Sequence, residues 1–140
     1  MKSVFADSHY WIAAVRPRDP WAEAAKRARE KLGKALLVTT DEVLVEFLAA
    51  LSRGGPALRK AAVKMVRAIL ANPNVTVVPQ ARDGFLKGLS LYESREDKEY
   101  NLTDCISMNV MKCQSISEVL TNDHHFEQEG FVVLIRRDRR

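Results

Sequence analysis

Residues 35–51 read ALLVTTDEVLVEFLAAL. The first part, Ala35 to Thr39 (ALLVT), is a short aliphatic and β-branched run that suits a buried strand. From Thr40 or Asp41 a strongly apolar segment continues to Arg53, where Gly54 and Gly55 stop it, and its length predicts a helix. A strand that feeds directly into a helix is the opening of a βαβ unit. Glu46 is the one charged residue between Val43 and Leu51, and Val43 and Ala50 share its helical face at i−3 and i+4. A carboxylate buried in such a helix is costly without a partner, so a cation or a hydrogen-bond donor is expected beside it.

The same alternation extends outward in both directions. Met1 to Ala6 ends in SVFA, a first strand closed by Asp7, and a short helix follows from Ser8 to about Val15. After the turn RPRD, Asp19 is expected to cap a second helix with Pro20 at its first position, and Gly33 ends it. A further helix is predicted from Pro56 to about Asn72, a third strand (NVTVV) from Asn74, and another helix from Gln80 to Ser94. The loop SREDKEYNL leads to a helix that Thr103 caps and that runs to Cys113. SEVLT (Ser117 to Thr121) and FVVLI (Phe131 to Ile135) complete five strands. Strands alternating with helices imply right-handed crossovers and a parallel sheet between helical layers. The expected fold is a three-layer α/β/α domain over residues 1–140 with a central, mainly parallel sheet of about five strands.

Composition narrows the class. Hydrophobic residues make up 46% of the 140 and charged residues 29%, enough for a core and for solubility. No run approaches the ~20 apolar residues of a membrane span, and MKSVFADSHY reaches an acid too early for a signal peptide, so residence in the cytoplasm is expected. Cys105 and Cys113 fall about 12 Å apart along one predicted helix, too far for a disulfide, and are expected to be reduced core residues. The net charge is +4, with Arg16 and Arg18 after the first helix, Arg59, Lys60, Lys64 and Arg67 in one helix, and the terminal run RRDRR. A basic protein favours polyanions such as RNA, although a charge run is more often a solvated face.

Three more acids stand out beside Glu46. Asp7 directly follows the first strand, and Asp123 follows the fourth with Asn122 between. In open parallel sheets ligands bind beyond the carboxyl ends of the strands, so both project into that crevice if the two strands are neighbours. Asp104 lies in the first turn of a helix with an otherwise core-like body, CISMNVMKC, where ordinary helix-terminus electrostatics also favours an acid. Four carboxylates a few ångströms apart raise each other's pKa, and divalent cations relieve that repulsion. An all-oxygen acidic set suits Mg²⁺ or Mn²⁺. Such a site activates water and stabilises displacement at phosphorus, which points to phosphodiester hydrolysis.

The order strand–Asp7, TTDEVLVE ending at Glu46, LTDCISM around Asp104 and VLTNDHHFEQEGF around Asp123 resembles PIN-domain proteins. Within that family it looks like the VapC-type toxins of bacterial toxin–antitoxin pairs. The resemblance covers essentially the whole chain, and the stretch Leu120 to Phe131 is its most specific part. It implies that Asp7, Glu46, Asp104 and Asp123 are the metal-binding, catalytic acids, with Ser8 and Thr40 as supporting polar residues. It further implies an Mg²⁺- or Mn²⁺-dependent endoribonuclease, an RNA substrate, a homodimer, and silencing by a small antitoxin of the VapB kind. The alternative is a non-catalytic PIN-like module that holds RNA or a protein, against which the intact set of acids argues.

Neighbouring residues have plainer readings. His124 and His125 follow Asp123 as possible ligands, but packing of His125 with Phe126 and exposure of His124 are expected instead. Asp97 sits among Glu96, Lys98 and Glu99, which predicts a solvated loop. Asp41 and Glu42 open the Glu46 helix as ordinary N-terminal acids. Tyr10 and Trp11 could stack on a base, but Trp11 is expected in the core, as are Met65, Met108 and Met111. A phospho-accepting receiver needs an acid pair beside the first strand, and Ala6 precedes Asp7. A haloacid-dehalogenase-type phosphatase needs a second Asp two residues on, where His9 stands.

Overall fold

The computed structural model describes residues 1–137. Of the terminal basic run, Arg136 and Arg137 are therefore described, and residues 138–140 lie outside the described residues. The elements follow in the order β1 (Ser3–Ala6), α1 (Ser8–Val15), α2 (Ala22–Leu32), β2 (Leu36–Thr40), α3 (Asp41–Leu51), α4 (Pro56–Ala71), β3 (Val75–Val78), α5 (Arg82–Ser94), α6 (Leu102–Cys113), β4 (Glu118–Leu120), α7 (His125–Gln128) and β5 (Val132–Val133). The strands form one five-stranded sheet in the order β3-β2-β1-β4-β5, and every pairing is parallel. The expected mainly parallel sheet is thus wholly parallel among the described residues. Crossover helices supply the layers on either side.

The order has one consequence for function. β1 lies between β2 and β4, so the carboxyl ends of these three strands adjoin. The residues that follow them, Asp7, the α3 helix and the segment 121–125, emerge on one edge of the sheet. The core beneath is apolar and continuous: Phe5, Phe47, Leu51, Met108, Met111, Leu120 and Phe126 are all fully buried. Thr39, also buried, donates its hydroxyl to the Ala6 carbonyl at 2.9 Å and ties β2 to β1 just below the edge.

Local chemistry explains the boundaries. Thr40 caps α3, its side chain accepting from the Val43 N–H at 3.0 Å. Gly55, at φ +92°, sets the chain for Pro56 to open α4. Gly88 lets α5 press on α6: a Cβ there would meet Ile106 Cγ1 at 2.6 Å.

Several expectations need correction. The second helix starts at Ala22 rather than Pro20, because the Asp19 carboxylate accepts from the Trp21 N–H at 2.8 Å and holds Pro20 and Trp21 in a turn. The sixth helix is capped by Asn101 rather than Thr103, and Asn101 and Asp104 form a reciprocal capping box. The final strand pairs only through Val132 and Val133, and the short helix α7 was not foreseen. Cys105 is buried and free as expected, whereas Cys113 is free but exposed at the end of α6. The outer face of α3 is open: Val45 is 60% exposed and Ala50 is also exposed, so Glu46 is half buried rather than enclosed.

Candidate active site

Asp7 ends β1 and occupies the N-cap position of α1 with extended backbone, so its side chain points off the sheet edge. It is almost wholly buried, and its Oδ2 accepts from the Thr121 hydroxyl at 2.8 Å and faces His9 Nδ1 at 3.0 Å. Its other oxygen, Oδ1, is buried with no hydrogen-bond partner among the described residues. An unpartnered buried carboxylate oxygen is expensive, and it marks a place for a donor or a cation.

Glu46 reaches the same edge from the second turn of α3. Ser8, one residue after Asp7, donates its hydroxyl to Glu46 Oε1 at 2.5 Å, and Asn101 Nδ2 lies 3.4 Å from Oε2. Burial raises the Glu46 pKa, the Ser8 hydrogen bond works against it, and the charge of Asp7 raises it further. Asp104 faces these groups from the first turn of α6. The Asn101 N–H donates to its Oδ2 at 3.1 Å. Burial, followed by the Asp7 charge, pushes the Asp104 carboxyl up to about 7, with Asp123 and Glu46 adding to the push. Asp123, beyond β4, is fixed by the His125 N–H, which donates to Oδ1 at 2.9 Å.

All four acids expected from the sequence therefore converge. Ligand atoms of Asp104, Asp123 and His125 lie within 4.8 Å of one another, and Asp7 and Glu46 are close enough to shift the Asp104 carboxyl. Of the two polar residues expected to support the acids, Ser8 hydrogen-bonds Glu46, and Thr40 caps the helix that carries it without touching an acid in any described hydrogen bond. Asp97 does not join them: it is exposed and paired with Lys98 at 3.1 Å, as its charged neighbours implied.

Four residues escaped the sequence reading. His125 was expected to pack away from the site, yet its Nδ1 stands 3.1 Å from Asp123 Oδ1 and 3.6 Å from Asp104 Oδ2, without the alignment of a hydrogen bond. His124 is exposed as expected. His9 is held against Asp7, which raises its pKa. Thr121 and Asn101 orient Asp7 and Asp104. Only Asn101 carried a legible signal, an Asn three residues before an acid at a helix start.

The donor set is oxygen-rich and crowded with negative charge, and it includes an orphaned buried oxygen. It fits a hard divalent cation. Fold and site together define an α/β protein whose functional edge is a carboxylate cluster suited to phosphodiester chemistry. The family model of the PIN domain matches residues 4–131. The chain belongs to the PIN-domain family. Among solved structures it is similar to VapC20 of Mycobacterium tuberculosis, described as a sarcin–ricin-loop-cleaving toxin. The two are 26% identical over 92% of this chain and 96% of that one, with a TM-score of 0.82. It shares its fold with FitAcB of Neisseria gonorrhoeae at 15% identity, covering 96% of each chain with a TM-score of 0.64. Curated proteins give no significant sequence match.

Proposed function

We propose that this protein is an endoribonuclease dependent on Mg²⁺ or Mn²⁺, acting as one PIN domain over residues 1–140 and serving as the toxin of a toxin–antitoxin pair. The observation that carries the reading is the convergence of Asp7, Glu46, Asp104 and Asp123 on one sheet edge, where burial and mutual charge push Asp104 up to about 7. Family membership and the likeness to VapC20 support it.

In the mechanism, the four acids would hold the cation, and Oδ1 of Asp7 has no competing partner among the described residues. When bound, a divalent cation supplies charge stabilisation at the phosphoryl oxygens and lowers the pKa of a water for attack. The protein's part is positioning. The Thr121 hydroxyl donates to Oδ2 of Asp7 and His9 Nδ1 stands beside it, which positions the carboxylate. Ser8 and Asn101 hold the two oxygens of Glu46. Asp104, pushed up to about 7 by burial and the neighbouring carboxylates, would have to be ionised to hold a cation, so proton and cation would compete for it. RNA is the proposed substrate and an antitoxin and a second copy of the chain the proposed partners. Among the described residues no helix is long and apolar enough to cross a membrane, and the cytoplasm is the proposed location.

The decisive experiment measures cleavage of RNA with and without divalent cation. Asp7→Asn and Asp104→Asn are expected to lose at least about a hundredfold in rate while circular dichroism and cooperative melting persist. Excess chelator is expected to stop the parent protein. Cleavage that survives chelation overturns the metal mechanism, and RNA bound without turnover favours the non-catalytic module.

A further inference from the structure

One strand away from the acids, on the same sheet edge, a cleft of about 490 Å³ opens between α3, the connection from β3 to α5, and the start of α6. Glu42, Gln80, Arg82, Phe85, Thr103 and Ile106 line it. Two of its lining residues neighbour site acids on the same helices. Glu42 precedes Glu46 by one helical turn, about 6 Å of rise, and Thr103 directly precedes Asp104. An RNA strand bound over the acids would have this cleft beside it.

The lining has the chemistry of base recognition rather than of core packing. Phe85 is 38% exposed, and the Arg82 guanidinium lies 5.3 Å from its ring centroid. An aromatic ring with a guanidinium offers a planar stacking platform to any base. Glu42 brings a carboxylate, which accepts only, and Gln80 an amide, which both donates and accepts. The Gln80 backbone N–H donates to Asp41 Oδ2 at 2.9 Å, which ties that connection to the start of α3. A carboxylate at the rim accepts from an exocyclic amine, which adenine, cytosine and guanine carry; uracil offers it only the ring N3–H between two carbonyl oxygens, a poorer match.

We propose that this cleft is a nucleobase subsite, taking one unstacked, amine-bearing base of the RNA strand that lies over the acids. Phe85 and Arg82 form the stacking platform, and Glu42 accepts from the amine. The inference rests on the ribonuclease reading, but the subsite is also testable by binding alone.

The test uses short single-stranded RNAs in which one abasic position is stepped along the sequence. With the parent protein, one abasic position near the cut is expected to lower kcat/KM by about fivefold to a hundredfold, and uracil there is expected to fall between an amine-bearing base and the abasic site, because it stacks without donating an amine. Phe85→Ala should show a comparable loss on intact RNA and no further loss at that abasic position, with Phe85→Trp restoring both. Glu42→Gln should reduce the discrimination against uracil. If the parent cleaves no RNA, the nuclease reading fails separately. The same scan is then read as affinity by fluorescence anisotropy, and base dependence that Phe85→Ala removes still upholds the subsite. An abasic profile that Phe85→Ala leaves intact overturns it, as does the absence of any base dependence. If Phe85→Ala instead converts a dimer to a monomer in sedimentation with the profile unchanged, the cleft is a contact between copies and the proposal is wrong.

Discussion

Glu46 is pulled in two directions: burial raises its pKa, while the Ser8 hydroxyl 2.5 Å from Oε1 lowers it. Ser8→Ala removes the lowering influence and leaves the burial, so the ionised form of Glu46 is expected to appear at higher pH. Each unit of that shift costs about tenfold in carboxylate at pH values below the pKa. The variant should therefore lose cleavage mostly at acidic pH and recover as pH rises, and a pH–rate profile of kcat/KM checks this. A loss equal at all pH values would mean that Ser8 acts only by packing. Glu46 itself was legible in the sequence, because a lone charge in an apolar helix needs a reason. His9 and His125 were not. A histidine beside an acid reads the same whether it turns into the site or into solvent, and the turn is set by distant packing.

The elements carrying the acids are held by caps and clamps. Asn101 accepts from the Asp104 N–H at 2.8 Å, and its own N–H donates to the Asp104 carboxylate. Asn101→Ala is expected to cost about 1 kcal/mol, to lower the Tm by a few degrees and to reduce cleavage as well, since it frees Asp104 and withdraws a donor from Glu46. A second clamp binds α5 and α6 to the end of α7. Glu129, nearly buried, accepts from Arg95, Lys112 and Tyr100 at 2.7–3.0 Å. Chiefly through its hydrogen bond from Arg95, its carboxyl is held down at about 2. A depressed carboxyl stabilises the fold above its unfolded value of 4.5, and that stability fades as pH falls toward 2. Glu129→Gln is expected to lower the Tm at pH 7 and to narrow its difference from the parent in acid melts. The sequence located these helices to within a few residues, but it put the cap at Thr103. Asn101 and Thr103 are both good capping types, and the choice between them falls to the backbone turn.

For the molecule as a whole, the carboxylate cluster makes stability depend on pH and on cation. Asp104 rises from its ordinary 3.8 to about 7 in the fold, so the folded state binds its proton more tightly than the unfolded chain does. That contribution is fully present below about 4 and is lost as pH rises to about 7. In chelator, the Tm of the parent should thus decline over that window relative to Asp104→Asn. Mn²⁺ should raise the parent's Tm, and more strongly at pH 7.5 than at pH 5, because cation and proton compete for the same oxygens. A differential scanning titration decides it, and a Tm indifferent to Mn²⁺ at both pH values would speak against cation uptake.

Alternating strands and helices, the parallel sheet and the positions of four unusual acids were determined by the sequence itself. These are local signals, made by residues within a turn or a strand's length of each other. Tertiary structure alone decided which of these groups meet. Strand order sets β1 between β2 and β4, and it brings Ser8 to Glu46 across 38 residues and Thr121 to Asp7 across 114. It also decided that Oδ1 of Asp7 is left buried and unpartnered among the described residues. The physical reason is that a charge's pKa and partners depend on burial and on the charges around it in space. Those neighbours are distant along the chain, so no window of sequence contains them.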